Sequence, residues 1–95
     1  MEQEYEQDQP HYYAVIPAEV RYHNKLSSDI KLLYCEITSL TDTEGVCRAS
    51  NVYFANLYNT TTNTIEKWIA SLKKYGFIKD VSKHQDSREL TIVMW

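Results

Sequence analysis

Residues 58 to 68 read YNTTTNTIEKW. Thr60, Thr61, Thr62, Asn63 and Thr64 make an uncharged, glycine-free run of hydroxyl and amide side chains directly ahead of an apolar pattern. Groups of this kind recognise partners by donating and accepting hydrogen bonds. Thr61, or else Thr62, is placed to cap a helix by accepting from an amide of its first turn. Thr62, Asn63 and Thr64 then occupy that turn. A helix start offers unpaired amides and partial positive charge to a phosphate oxygen, and an asparagine can bond adenine in two places along the major groove. Two plainer readings compete: a low-complexity linker, and a helix start whose polar residues serve capping alone. The surrounding elements decide between them.

Reaction chemistry has little support elsewhere in the chain. No glycine-rich phosphate loop, Gly-x-Ser-x-Gly elbow or spaced carboxylate pair in an apolar setting is present. Catalysis is therefore not expected, nor any catalytic or cofactor-binding residue. His11, His23 and His84 share no ligand spacing with Cys35 or Cys47, so no metal site is expected either. The two cysteines lack a Cys-x-x-Cys spacing and are read as reduced, packed thiols. The N-terminus, MEQEYEQDQ, is acidic and polar, unlike a secretory signal, and no apolar run approaches a membrane span. A cytoplasmic protein is expected.

The elements that must position the polar run follow from periodicity. The 95 residues form one domain, read as an acidic tail over 1–10 and a folded unit over 11–95. Tyr12 to Ile16 is a short β-leaning run, and Pro17 opens a brief helix over Ala18 to Tyr22. Ser27 or Ser28 caps the first main helix, with Asp29 in its first turn. Ile30, Leu33, Tyr34, Ile37 and Leu40 recur along that helix at helical spacing. Gly45 ends the segment, and residues 46 to 49 are extended. Ser50 caps a second helix, Asn51 to Tyr58, which turns Phe54 and Leu57 inward. Asn59 tolerates a left-handed backbone and makes the corner. Ile65, Trp68, Ile69, Leu72 and Tyr75 then mark the apolar stripe of a third helix, closed by Gly76. Two β-leaning runs around Gln85-Asp86-Ser87 finish the chain, with Leu90, Ile92 and Met94 on one face.

The predicted fold is mainly α with a small β-hairpin (α+β): three main helices and a two-stranded wing, the order of a winged helix-turn-helix domain. In that order the third helix is the reading element, and Thr61, Thr62, Asn63, Thr64 and Lys67 are its candidate contacts with double-stranded DNA. Arg48, Ser50, Asn51 and Tyr53 begin the second helix, where phosphate contacts are expected. Lys83, His84 and Arg88 flank the wing tip. Lys73 and Lys74 are read as stabilising the negative end of the third helix. Charge is uneven in a way that permits this. The chain carries −3 overall, with Glu2, Glu4, Glu6 and Asp8 in the first nine residues. From Arg48 to Arg88, seven basic residues face three acidic ones. The acidic tail is either a solubilising terminus or an arm that screens the basic half.

A family resemblance rests on particular motifs. These are Ile-Pro-Ala-Glu-Val at 16–20, Leu-Ser and Lys-Leu-Leu-Tyr within 26–34, and Ser-Asn-x-Tyr-Phe-Ala at 50–55. Thr-Ile-x-x-Trp-Ile-x-x-Leu at 64–72 and Gly-Phe-Ile at 76–78 complete the set. Over roughly residues 12–80 the chain resembles the N-terminal winged-helix domain of replication initiators and replisome organisers from phages and plasmids of Gram-positive bacteria (RepA-like and DnaD-like proteins). The resemblance implies binding to an origin or to repeated double-stranded sites within it, commonly as a homodimer. It places base or phosphate contacts on Thr62, Asn63 and Lys67. One departure is Asn59-Thr60-Thr61 at the corner, where the family often has glycine first. Full-length initiators continue into a C-terminal domain that recruits replisome proteins, helicase or primase; this sequence shows none, so an excised N-terminal domain and a stand-alone regulator are both expected possibilities. Two other uses of the fold remain open: a transcriptional regulator, and a protein-interaction or oligomerisation module.

Overall fold

The computed structural model describes residues 16–82 and 88–93. The acidic tail, the expected strand over 12–16 apart from Ile16, the turn at 85–87 and Met94 lie outside those residues.

A short helix α1, Ala18–Arg21, follows Pro17, which sits at its N-cap position with φ −64°. Helix α2, Ser28–Ser39, is capped by Ser27, whose hydroxyl accepts from the Ile30 amide at 3.3 Å. Its stripe Ile30, Leu33, Tyr34 and Ile37 is buried. Strand β1, Val46–Cys47, leads to α3, Asn51–Leu57, capped by Ser50 through the Tyr53 amide at 3.1 Å. Helix α4, Thr62–Lys74, buries Ile65, Ile69 and Leu72. Strands β2, Ile78–Asp80, and β3, Leu90–Ile92, complete the chain.

The apolar spacing of the helices meets in one core. Val20, Leu26, Leu33, Ile37, Phe54, Ile65, Leu72, Phe77 and Leu90 are among its buried members. Burial at that level is what stabilises so small a domain, since each fully covered aliphatic side chain contributes on the order of 1.5–3 kcal/mol. Ala55 is buried where Leu57, expected inward, is only half-covered. Trp68, expected inside, lies at the margin. It is partly buried against the core and meets the Tyr58 ring edge-on, with centroids 6.2 Å apart. The Tyr58 hydroxyl in turn donates to the Leu32 carbonyl at 3.2 Å, fastening α3 to α2. His23 stacks between aromatics, 4.7 Å from the Tyr75 ring and 5.5 Å from Phe77. Both cysteines are free thiols. Burial pushes the Cys47 thiol up, and burial with nearby Glu36 raises Cys35, so neither is activated.

The sheet adds a third strand to the two-stranded wing that the sequence suggests. It has three antiparallel strands in the order β1-β3-β2, so β3 is central. Val46 pairs with Thr91 and Cys47 with Leu90 on one side, while Ile78 pairs with Ile92 and Asp80 with Leu90 on the other. Two residues are too few to show an alternating pattern, which is why β1 read only as an extended piece.

Both ends of the pair that matters most, α3 and α4, close in the same way. At the end of α4 the Phe77 amide reaches the Leu72 carbonyl at 2.9 Å, and the Gly76 amide reaches Lys73 at 3.0 Å. At the end of α3 the Thr60 amide reaches Ala55 at 2.9 Å, and the Asn59 amide reaches Asn56 at 3.4 Å. This double bond pattern needs a left-handed residue just past the helix. Gly76 supplies it at φ +80° and Asn59 at φ +54°. Asn59→Ala is therefore expected to cost about 1 kcal/mol, and Asn59→Gly close to nothing. Urea midpoints of the two variants check this.

Candidate nucleic-acid interface

The corner at Asn59 delivers the chain into α4 with its first turn exposed. Thr61 is the N-cap: its hydroxyl accepts from the Thr64 amide at 3.2 Å and lies 3.0 Å from the Thr64 hydroxyl. Thr61 and Thr64 are thereby occupied with the cap itself. Thr62 and Asn63 are exposed, with side chains uncommitted by any hydrogen bond among the described residues. Their backbone amides belong to the first turn, which has no intrahelical acceptor to offer them. The polar run is thus neither a linker nor wholly consumed by capping.

Along α4, Asn63, Lys67, Ala70 and Lys74 are all exposed and recur at helical spacing on the side away from Ile65, Ile69 and Leu72. The helix has 13 residues, which makes it roughly 20 Å long at the standard rise. A helix of that size fits a major groove about 12 Å wide. Lys67 has no ion-pair partner among the described residues. Lys73 faces Asp80 at 3.7 Å, and the Lys74 ammonium lies 5.4 Å from the Tyr75 ring centroid. Ala70 completes the outward stripe and was missed at the sequence level, although its place seven residues after Asn63 could have revealed it.

Three of the side chains expected at phosphates, Arg48, Asn51 and Arg88, have hydrogen-bond partners inside the chain. The Arg48 guanidinium donates to Asp42, to Glu44 at 3.1 Å and to Glu89 at 3.1 Å. Three carboxylates around one half-exposed cation weaken its attraction for phosphate. The Arg88 fork donates to the Asn51 side-chain oxygen and to the Ala49 carbonyl, and its guanidinium carbon stands 6.0 Å from the Phe54 ring centroid. Burial lowers the Arg88 pKa from its ordinary value, although an arginine stays charged. Arg88 and Asn51 therefore tie the root of the wing to the start of α3. Ser50 is exposed but its hydroxyl serves the cap, and Tyr53 is half-buried, edge-on to Phe54 at 5.6 Å. Lys83 and His84 lie outside the described residues.

A recess of about 250 Å³ runs beside α4, lined by Asn51, Glu66, Ile69, Ala70, Lys73 and Arg88. Among the described residues no group of three His, Cys, Asp or Glu side chains could hold a metal ion, and no helix is long and apolar enough to cross a membrane.

A family model described as a helix-turn-helix domain matches residues 23–78. The chain belongs to that family. The matched segment runs from the approach to α2 through α4 to the first residue of β2. Four helices with a three-stranded antiparallel sheet make it an α+β helix-turn-helix domain consistent with a winged helix. In helix-turn-helix domains the second helix of the motif enters the major groove while the first crosses the backbone, so DNA is the partner that membership supports. Here those helices are α4 and α3. No curated protein and no solved structure matches the chain.

Proposed function

We propose that the domain binds specific sites in double-stranded DNA with α4 in the major groove, and that it does so in the initiation of phage or plasmid replication. It acts by binding and not by catalysis. The observation that carries the binding mode is the exposed first turn of α4, where Thr62 and Asn63 stand free above a buried Ile65–Ile69–Leu72 stripe. A rigid helix with uncommitted polar groups at its amide-rich end is what base readout needs. Asn63 is the reader, Thr62 and the first-turn amides meet phosphate or a base edge, and Lys67 and Lys74 meet phosphates. The replication role is supported by the motifs over residues 12–80 described above. Two copies on two half-sites would account for recognition of repeats.

Fluorescence anisotropy with duplex fragments selected from a random pool tests this. With Arg48 and Arg88 withdrawn, roughly three or four phosphates are neutralised, giving a log–log salt slope near −3. Binding that is absent at low salt for every duplex would overturn the proposal. The genomic position of the selected site, at an origin or at a promoter, separates replication from transcriptional control.

A further inference from the structure

Glu66 is the one acidic residue on α4, and it is exposed. It sits four residues after Thr62, three after Asn63 and four before Ala70, on the strip that faces the recess. Its position is not explained by the helix itself. The neighbours that could pair with it at three or four residues are Thr62, Asn63, Ile69 and Ala70, none of them basic. It lies in the second turn, beyond the reach over which the helix dipole favours an acid. No described residue forms an ion pair with it. The two cations lining the same recess are spoken for, Lys73 by Asp80 and Arg88 by Asn51 and Ala49. A carboxylate with no bond to any described residue therefore stands at the edge of the Asn63–Lys67–Ala70 stripe, read above as the side of α4 that enters DNA.

Such a group is repelled by phosphates, so it is compatible with that face only where it meets a donor. In the major groove cytosine presents an N4 amino donor, guanine and thymine present acceptor oxygens that repel a carboxylate, and adenine sets an N7 acceptor beside its N6 donor, which disfavours one. We propose that Glu66 is a specificity-determining residue that accepts a hydrogen bond from cytosine N4, excluding guanine and thymine at one position of the site. Ala70, one turn further on, is small enough to leave that base edge accessible. The assignment rests on the DNA-binding mode proposed above and adds the base class read by this side chain.

Selection from a random duplex pool, run in parallel for the wild-type domain, Glu66→Gln and Glu66→Ala, tests it. The wild type is expected to enrich a site with one cytosine whose replacement weakens binding by roughly tenfold or more. Glu66→Ala should lose preference at that position while binding unrelated duplexes more tightly. Glu66→Gln should exchange the cytosine for adenine, since a carboxamide can both donate to N7 and accept from N6. Identical selected sites for all three proteins, with only a uniform rise in affinity for the variants, would overturn the assignment and leave the binding mode standing. If the wild type enriches no site, the binding mode fails and the assignment falls with it. Exposure of Glu66 makes loss of fold an improbable confounder, and unchanged thermal melting of both variants checks that directly.

Discussion

Phe54→Ala is expected to lower the free energy of unfolding by about 3 to 5 kcal/mol. A domain of this size is held folded by only about 5 to 10 kcal/mol, so the variant should be left with about 0 to 7 kcal/mol. Phe54 is fully buried at the centre of α3, with one ring edge against Tyr53 and the Arg88 guanidinium above its face. Truncation leaves a cavity beside a half-buried cation whose fork is fixed by Asn51 and Ala49, and fixed neighbours collapse little to fill it. Urea denaturation followed by far-ultraviolet circular dichroism measures the loss. A change below about 1 kcal/mol would mean that the α3–α4 packing is not as described. Trp68→Ala should cost less than Phe54→Ala, because the indole is only half-covered.

Asn63→Ala is expected to act on the other side of the same helix with the opposite profile. The side chain is exposed and bonds nothing among the described residues, so stability should change by less than about 0.5 kcal/mol. If Asn63 bonds adenine in two places, affinity for the selected site should fall by about 1 to 3 kcal/mol. Affinity for unrelated duplexes should hardly move, since base contacts carry sequence information and phosphate contacts do not. Anisotropy titrations against the selected site and a scrambled one, with melting curves of both proteins, read the two effects separately. Equal losses on both duplexes would make Asn63 a backbone contact and reassign base reading along α4.

Much of this architecture is legible in the sequence because the signals are local. Ser27, Ser50 and Thr61 each accept from an amide three residues on, and a hydroxyl ahead of an apolar stripe announces such a cap. Asn59 and Gly76 ended their helices for a reason written into their own side chains, the tolerance of positive φ. Long-range partners were not legible. Arg48 and Glu89 are 41 residues apart, and Arg88 and Asn51 are 37 apart. In sequence, Arg48 and Arg88 therefore read as free cations suited to phosphate, whereas folding supplies each with acceptors. The same limit hid the partner of β1, which pairs with residues 90 and 91. Trp68 was misjudged for a different reason. Helical spacing gives the side of a helix that faces inward but not how wide a neighbour's cover will be, and here α3 covers only part of the indole with Tyr58.

The central place of β3 also bears on how the protein is made. Synthesis runs from the N-terminal side, yet β1 and β2 both wait for Leu90–Ile92 to lie between them. A nascent chain that has released only its helices from the ribosome has no sheet over Cys47 and Ile78, and nothing to anchor the start of α3 from the Arg88 side. At ordinary elongation rates of about 5 to 20 residues per second, that interval lasts only seconds. Within it the newborn polypeptide lacks the sheet beside its helices and is open to proteases and chaperones.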